Sequence, residues 1–285
     1  MRSWKLWNPP LRARASNRSA LIGSNAAPRI SHRITLLTDF GTTDGYVAAM
    51  KGVIASIAPS VIIDDASHDL PAGDIHAASW ALASYWHLYP PGTVHVAVVD
   101  PGVGSSRRAL AIDVAQRIII APDNGIVTGV LRQSPLTRTI EISNPALMRG
   151  VISATFHGRD VFAPAAAYVA AGTPLHELGP TVPDPFLLST TQPARDGTGI
   201  CGTITHVDHF GNLITDIPGD AVAGGYVAVQ GRMRVPVART YSDVAVGDGV
   251  ALIGSGGFLE VSVRGGSAAE MTAAERGASV VWSPE

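Results

Sequence analysis

The stretch Val94 to Arg108, VHVAVVDPGVGSSRR, leaves the chain few architectures to choose from. Val94, Val96, Val98 and Val99, with Ala97 among them, form the kind of apolar run found in a strand covered on both faces inside a parallel sheet. The run stops at Asp100. Pro101 has no N–H with which to continue a ladder, and Gly102 and Gly104 let backbone come close to whatever lies above the strand end. In open α/β sheets ligands bind there, in the crevice beyond the carboxyl ends of the strands. Asp100 therefore has two readings, as a cap for its own loop or as a group aimed at a ligand.

The surrounding pattern repeats this arrangement. ITLLTDF predicts a strand ending at Asp39, and Val47, Met50, Val53, Ile54 and Ile57 recur at helical spacing as far as Pro59. VIIDDA predicts a second strand ending in Asp64 and Asp65, followed by a helix from about Ala72 to Tyr89. ALAIDV and RIIIAPDNG add two more strands, the latter closing on the turn Asp123-Asn124-Gly125, where Asn124 suits either a backbone cap or a ligand contact. After the strand TIEI, a polar knot His157-Gly158-Arg159-Asp160 opens a helix of small residues that ends at Gly172. The positive end of a helix dipole disfavours a charged imidazole, which suits His157 to a base; a buried histidine bonded to backbone is the competing reading.

Between about 180 and 200 the composition shifts to a proline-rich stretch without periodicity, which reads as a linker. Beyond it come short strands separated by turns: ICGTITHVD, NLITDI, a hairpin about Gly231, VALIG, FLEVSV and ASVVW. The fold expected is an N-terminal α/β domain with a mainly parallel central sheet plus a smaller C-terminal antiparallel β-barrel. Its expected boundaries are a disordered tail or start-site extension over 1–30, the α/β domain over 31–182, a linker over 183–198 and the barrel over 199–285.

Charge narrows the function. Seven of the 21 Lys and Arg residues and none of the 23 acids precede Asp39, so the body of the chain is acidic and lacks a basic footprint for nucleic acid. The single cysteine, Cys201, permits neither an internal disulfide nor a zinc cluster and suits a reducing compartment, here the cytoplasm. The Arg- and Ser-rich first 30 residues would also fit a transit peptide, but lack a secretory h-region. No window reaches the length a membrane-spanning helix needs, and no membrane partner is expected.

Six segments in order, TDFGTTDGYVAAMKGVI, VVDPGVGSSRR, APDNG, SATFHGRDVFAPAA, DHFGN and IGSGGFLE, resemble the S-adenosylmethionine (SAM) hydroxide adenosyltransferases, relatives of the SAM-dependent fluorinase and chlorinase. The likeness covers about residues 33–285. It implies hydrolysis of SAM to adenosine and methionine without metal or cofactor, in a homotrimer whose active sites lie between the N-terminal domain of one subunit and the C-terminal domain of the next. It also implies a catalytic set of Asp100, Arg107 and His157. In that set His157 accepts a proton from the attacking water, while Asp100 and Arg107 orient it. Arg108 could take the arginine role, but the family spacing favours Arg107.

For substrate binding, the resemblance implies that Asp39 accepts both ribose hydroxyls, while Asp44 and Tyr46 contact the methionine portion. In the second half it implies polar contacts from Asp208, Asn212 and Ser255 to the methionyl amine, its carboxylate or the ribose, with Tyr241 and Phe258 flanking adenine. As aromatics in a β domain, both also fit a core. Where the fluorinase has an arginine after the serine of the IGSGG-like segment this chain has Gly256, which puts anchoring of the methionine carboxylate in question. In the halogenases an aromatic resembles the place of His157, and in the fluorinase a serine that of Gly158. This chain has His157 and Gly158. A halide site wants a small, dry pocket with no competing base, so retaining Asp100, Arg107 and His157 together favours hydroxide, while Gly158 alone does not exclude chloride.

Three competing readings remain from sequence. A chlorinase would form 5′-chloro-5′-deoxyadenosine. A metallohydrolase could draw on Asp39, Asp64, Asp65, His68, Asp123, His157 and Asp160, although no HExxH-like spacing supports it. A non-catalytic sensor would bind SAM or adenosine without turnover.

Overall fold

The computed structural model of the protein describes residues 32–284; the expectation for residues 1–30 lies outside them. The described chain divides into two compact units, the first ending at Leu188 and the second beginning at Ser189.

The first unit is built on a six-stranded sheet. Its strands are β1 (Arg33–Thr38), β2 (Ile62–Ser67), β3 (Val94–Val98), β4 (Ala109–Val114), β5 (Arg117–Pro122) and β6 (Leu136–Glu141), in the order β2-β1-β3-β5-β4-β6. The first four in that order pair in parallel, and β4 runs antiparallel to both neighbours, so the sheet is mixed with a parallel core. The helices are α1 (Tyr46–Ile57), α2 (Ile75–Tyr85), α3 (Thr128–Gln133) and α4 (Ala163–Ala170).

Alternation along the strands sorts the core into two layers, as the period of a pleated strand requires. Ile34, Leu36, Val94, Val96 and Val98 pack on one face with α1 and α4, while Leu37, Ala97, Val99, Leu110 and Ile112 pack on the other with residues of α2 and α3. β3 is buried throughout, as its apolar run requires.

Two details differ from the sequence expectation. β2 does not end on its acids: Asp64 and Asp65 lie inside the strand, because β2 is an edge strand and Asp64 reaches across to pair with Arg33. The second helix starts later, at Ile75, because the Asp74 carboxylate caps it by accepting from the Ala77 N–H at 3.0 Å.

β3 also carries His95, fully buried and opposite Thr35 in the ladder. Its Nδ1 lies 2.8 Å from Thr35 Oγ1, Tyr85 and Tyr89 meet the ring edge-on, and among the described residues no side-chain or backbone group lies within hydrogen-bonding geometry of Nε2.

In the stretch expected as a linker, the Phe186 N–H donates to Asp123 and the Leu188 N–H to Thr128, and the short strand β7 (Ala194–Asp196) pairs with the first long strand of the second unit. That unit holds β8 (Gly199–Val207), β9 (Leu213–Pro218), β10 (Tyr226–Val229), β11 (Met233–Pro236), β12 (Gly249–Ile253), β13 (Phe258–Val263), α5 (Ala268–Thr272) and β14 (Ser279–Ser283). The antiparallel order is β11-β10-β14-β8-β9-β13-β12, and a bridge between Val237 and Ala251 brings the two ends together into a nearly closed barrel. Ile204, Leu213, Val227, Leu259, Val261 and Trp282 are among the residues that fill it.

Candidate active site

Beyond the carboxyl ends of β1 and β3 lies a cleft of about 430 Å³, a size suited to a small molecule. Asp39, Tyr46, Asp100, His157 and Gly158 line it, together with Phe40, Gly73, Val98, Pro101, Val103, Thr155 and Phe156. Asp39 follows β1, and Asp100 stands two residues past β3. His157 directly precedes a π-helical turn, Gly158–Phe162, that runs into α4.

Three expected residues form one chain of contacts. Arg107 Nε donates to Asp100 Oδ1 at 2.9 Å and to Oδ2 at 3.0 Å, and Nη2 also bonds Oδ2, a two-pronged pairing with both side chains largely buried. The same Nη2 lies 2.9 Å from His157 Nδ1. The Phe162 ring faces the guanidinium at 5.2 Å. A guanidinium only donates, so Nδ1 accepts, and the proton of the neutral ring resides on Nε2. Burial lowers the His157 pKa first, and the charge of Arg107 lowers it further, against the partial opposition of Asp100 and Asp160. The ring is therefore neutral at pH 7. Arg108 is occupied elsewhere, with Asp123 and the Asp184 carbonyl.

Main-chain packing holds the two loops of this chain of contacts together. Gly104 has φ +79°, and a Cβ there would collide with the Ala154 carbonyl three residues before His157. Below the histidine, Asp160 is fully buried and ties down its segment by accepting from Arg149, Arg159 and the Ser153 N–H. Burial alone would raise its pKa; the bonds from Arg159, Ser153 and Arg149 outweigh that and bring it to about 2.

Asp39 accepts from the Gly73 N–H at 2.8 Å through Oδ2. Tyr46, Phe40 and Phe156 meet edge to face, with centroids 5.3 to 6.2 Å apart, and form one wall of the cleft. Neither Phe40 nor Phe156 stands out in the sequence, although each adjoins a candidate residue, Asp39 and His157.

Asp44 is exposed and does not line the cleft. Nor does Asn124, whose amide donates to the Val99 carbonyl at 2.8 Å and accepts from the Ile126 N–H, the backbone cap that a turn sequence favours.

The carboxylates imagined as metal ligands are dispersed. Asp64 pairs with Arg33, Asp65 with Lys51 and His68, Asp123 with Arg108, and Asp160 with two arginines. Among the described residues no three His, Cys, Asp or Glu side chains gather to hold a metal ion.

In the barrel unit, Asp208 folds the DHFGN loop on itself, accepting from the N–H groups of Phe210 and Asn212 and from the Asn212 side chain at 2.8 to 2.9 Å. Tyr241 donates to Glu260 Oε1 at 2.7 Å. Burial first, and the bond to Glu260 next, push its pKa up to about 12. Ser255 and Gly256 are exposed in the turn between β12 and β13, and Phe258 is half-buried. A Cβ on Gly256 would meet little, only Phe258 at 3.9 Å, so the missing arginine reflects no steric bar.

An α/β domain with an Asp-Arg-His chain at its strand ends, followed in sequence by a small antiparallel barrel, defines a recognisable class of protein. Residues 34–179 match the SAM hydroxide adenosyltransferase N-terminal domain and residues 202–281 the C-terminal domain of the same name, and the chain belongs to that family. A protein named (R)-S-adenosyl-L-methionine hydrolase from Thermus thermophilus is 42% identical, over 87% of this chain and 98% of its own. Another of that name from Salinispora arenicola is 38% identical, over 86% and 95%. A fluorinase from an Actinoplanes species is more distant at 28%, over 80% and 90%. The solved structure of an uncharacterized conserved protein from Thermotoga maritima superposes with a TM-score of 0.81 at 34% identity, covering 87% of this chain and 98% of that one.

Proposed function

We propose that the protein hydrolyses SAM to adenosine and L-methionine by in-line attack of water or hydroxide on ribose C5′. The observation that carries this reading is the unbroken Asp100–Arg107–His157 chain of contacts at the cleft. Departure of a sulfonium releases a neutral thioether, so the leaving group needs no acid, and catalysis rests on the nucleophile and its alignment. The relatives' shared name supports the substrate and points to the R sulfonium epimer as the form turned over.

His157 has one free lone pair in its neutral form, at Nδ1, where Arg107 Nη2 now donates. Water entering there takes Arg107's hydrogen bond on its oxygen and passes its proton to Nδ1. The guanidinium then stabilises the developing hydroxide, and Asp100 fixes the guanidinium. Asp39, with one oxygen held by Gly73, presents a carboxylate suited to a vicinal diol. A Cβ at Gly158 would lie 3.1 Å from Phe40 and 3.3 Å from Met50 Sδ, so a serine in that place, as in the fluorinase, requires these neighbours to shift.

The proposal extends to a cytoplasmic homotrimer that works without metal or cofactor. Among the described residues no helix is long and apolar enough to cross a membrane. The test is incubation with each sulfonium epimer, with and without chloride and with excess chelator, followed by chromatography. Adenosine in every lane given the R epimer, and little or none with the S epimer, supports the reading. Chlorodeoxyadenosine as the main product, chelator-sensitive turnover, or binding without release would each refute it. Sedimentation tests the trimer.

A further inference from the structure

His68 is a buried, titratable side chain to which the hydrolysis assigns no part. It directly follows β2 and is 6% exposed, beside the end of β1 where the Asp39 loop begins. Leu36 and Leu37 of β1 pair with Asp65 and Ser67, so Ala66 is an extra residue in β2, and a bulge of this kind re-aims the side chains next to it. The imidazole bridges the two strands. Its Nδ1 lies 2.8 Å from Thr38 Oγ1 and its Nε2 lies 3.0 Å from Asp65 Oδ1. The other Asp65 oxygen accepts from Lys51 of α1 at 2.6 Å.

The partners fix the direction of each bond. Burial alone would raise the Asp65 pKa, but the bonds from His68 and Lys51 outweigh it and hold the carboxyl below its ordinary value. Asp65 is therefore ionised and accepts, and the proton it faces sits on His68 Nε2. In the neutral ring Nδ1 then accepts from the Thr38 hydroxyl, whose oxygen in turn receives the Phe40 N–H at 3.3 Å. The His68 carbonyl accepts from the Gly41 N–H at 2.8 Å. His68 thus grips the chain on both sides of Asp39 and Phe40, at Thr38 through its ring and at Gly41 through its backbone.

The Asp39 carboxylate is itself held only at Oδ2, by the Gly73 N–H, and Gly73 lies in the same connection between β2 and α2 that His68 opens. A carboxylate that meets a vicinal diol must present both oxygens, and one bond leaves its direction to the backbone that carries it. We infer that His68 is a positioning residue for ribose recognition: by fixing Thr38 and Gly41 it sets the backbone of Asp39 and so aims the carboxylate at the sugar hydroxyls. The inference rests on the SAM reading above, in which Asp39 receives that diol.

Calorimetry with adenosine, the product expected of that reading, tests this on the full chain. His68→Ala should weaken adenosine binding roughly five- to tenfold. Added to Asp39→Ala, the same substitution should change affinity by less than about twofold, because the group it aims is gone. His68→Asn, whose amide oxygen can still accept from Thr38, should return affinity to within about twofold of wild type, a rescue that a general loss of packing does not permit. With SAM, the loss in His68→Ala should fall on KM, with kcat changed less than about threefold. Unchanged adenosine affinity in His68→Ala, an equal loss in His68→Asn, or additive losses in the double variant overturn the inference. If the wild-type chain neither binds adenosine nor releases it from SAM, the SAM reading itself fails.

Discussion

His95 offers a test of how the α/β unit is held together that does not touch the cleft. Its ring is fully buried, and burial first, then the charge of Arg117, lower its pKa to about 3, with the Trp86 backbone opposing in part. The unfolded ring takes its proton near the usual value of 6.5. Below that pH the unfolded chain binds a proton that the native chain refuses, so stability falls as the medium is acidified. One proton is worth about 1.4 kcal/mol per pH unit, or about 2 to 3 kcal/mol between pH 6.5 and 4.5. The carboxylates do not confuse this window, because the stability contributed by Asp160, with its pKa near 2, is lost only below about 3.8. His157, whose pKa is also lowered, contributes equally to both proteins in the comparison. In His95→Phe, which keeps a ring against Tyr85 and Tyr89, urea unfolding followed by tryptophan fluorescence should lose about one proton's worth of slope over that interval. Identical slopes in variant and wild type would show that the buried ring does not titrate as its surroundings require.

In the cleft, His157→Ala should lower kcat by roughly 10²- to 10⁴-fold while leaving the affinity for S-adenosylhomocysteine within a few-fold; wild-type turnover would remove the base from the mechanism. Asp39→Ala should weaken binding roughly ten- to a hundredfold through lost bonds to a charged acceptor, with a smaller change in kcat, as read from KM and kcat separately. Gly158→Ser must displace Phe40 or Met50, so thermal unfolding should register a cost of about 1 kcal/mol, and no chlorinated product should appear with chloride.

The sequence made the main elements readable for specific reasons. β3 was legible because a strand covered on both faces has no polar residue to spare, apart from His95, which only its pairing with Thr35 explains. The barrel strands were legible from alternation and turns. α3 and α5 escaped notice because six- and five-residue helices do not complete two turns of a periodic pattern. Within the cleft, Asp100, Arg107 and His157 were found through motif order, and only coordinates show that Arg107 rather than Arg108 faces Asp100. A turn sequence serves as cap or ligand contact alike, so the sequence leaves Asn124 open between them; its two backbone bonds are those of a cap.

The near-contact of Gly104 with the Ala154 carbonyl gives the cleft a fixed gauge. The interval between the acid's loop and the imidazole's loop is set by peptide meeting peptide, and neither loop can drift without dragging the other. Even a methyl group at position 104 would press on that carbonyl and shift the two loops against each other, although no side chain of the Asp100–Arg107–His157 chain would itself be altered.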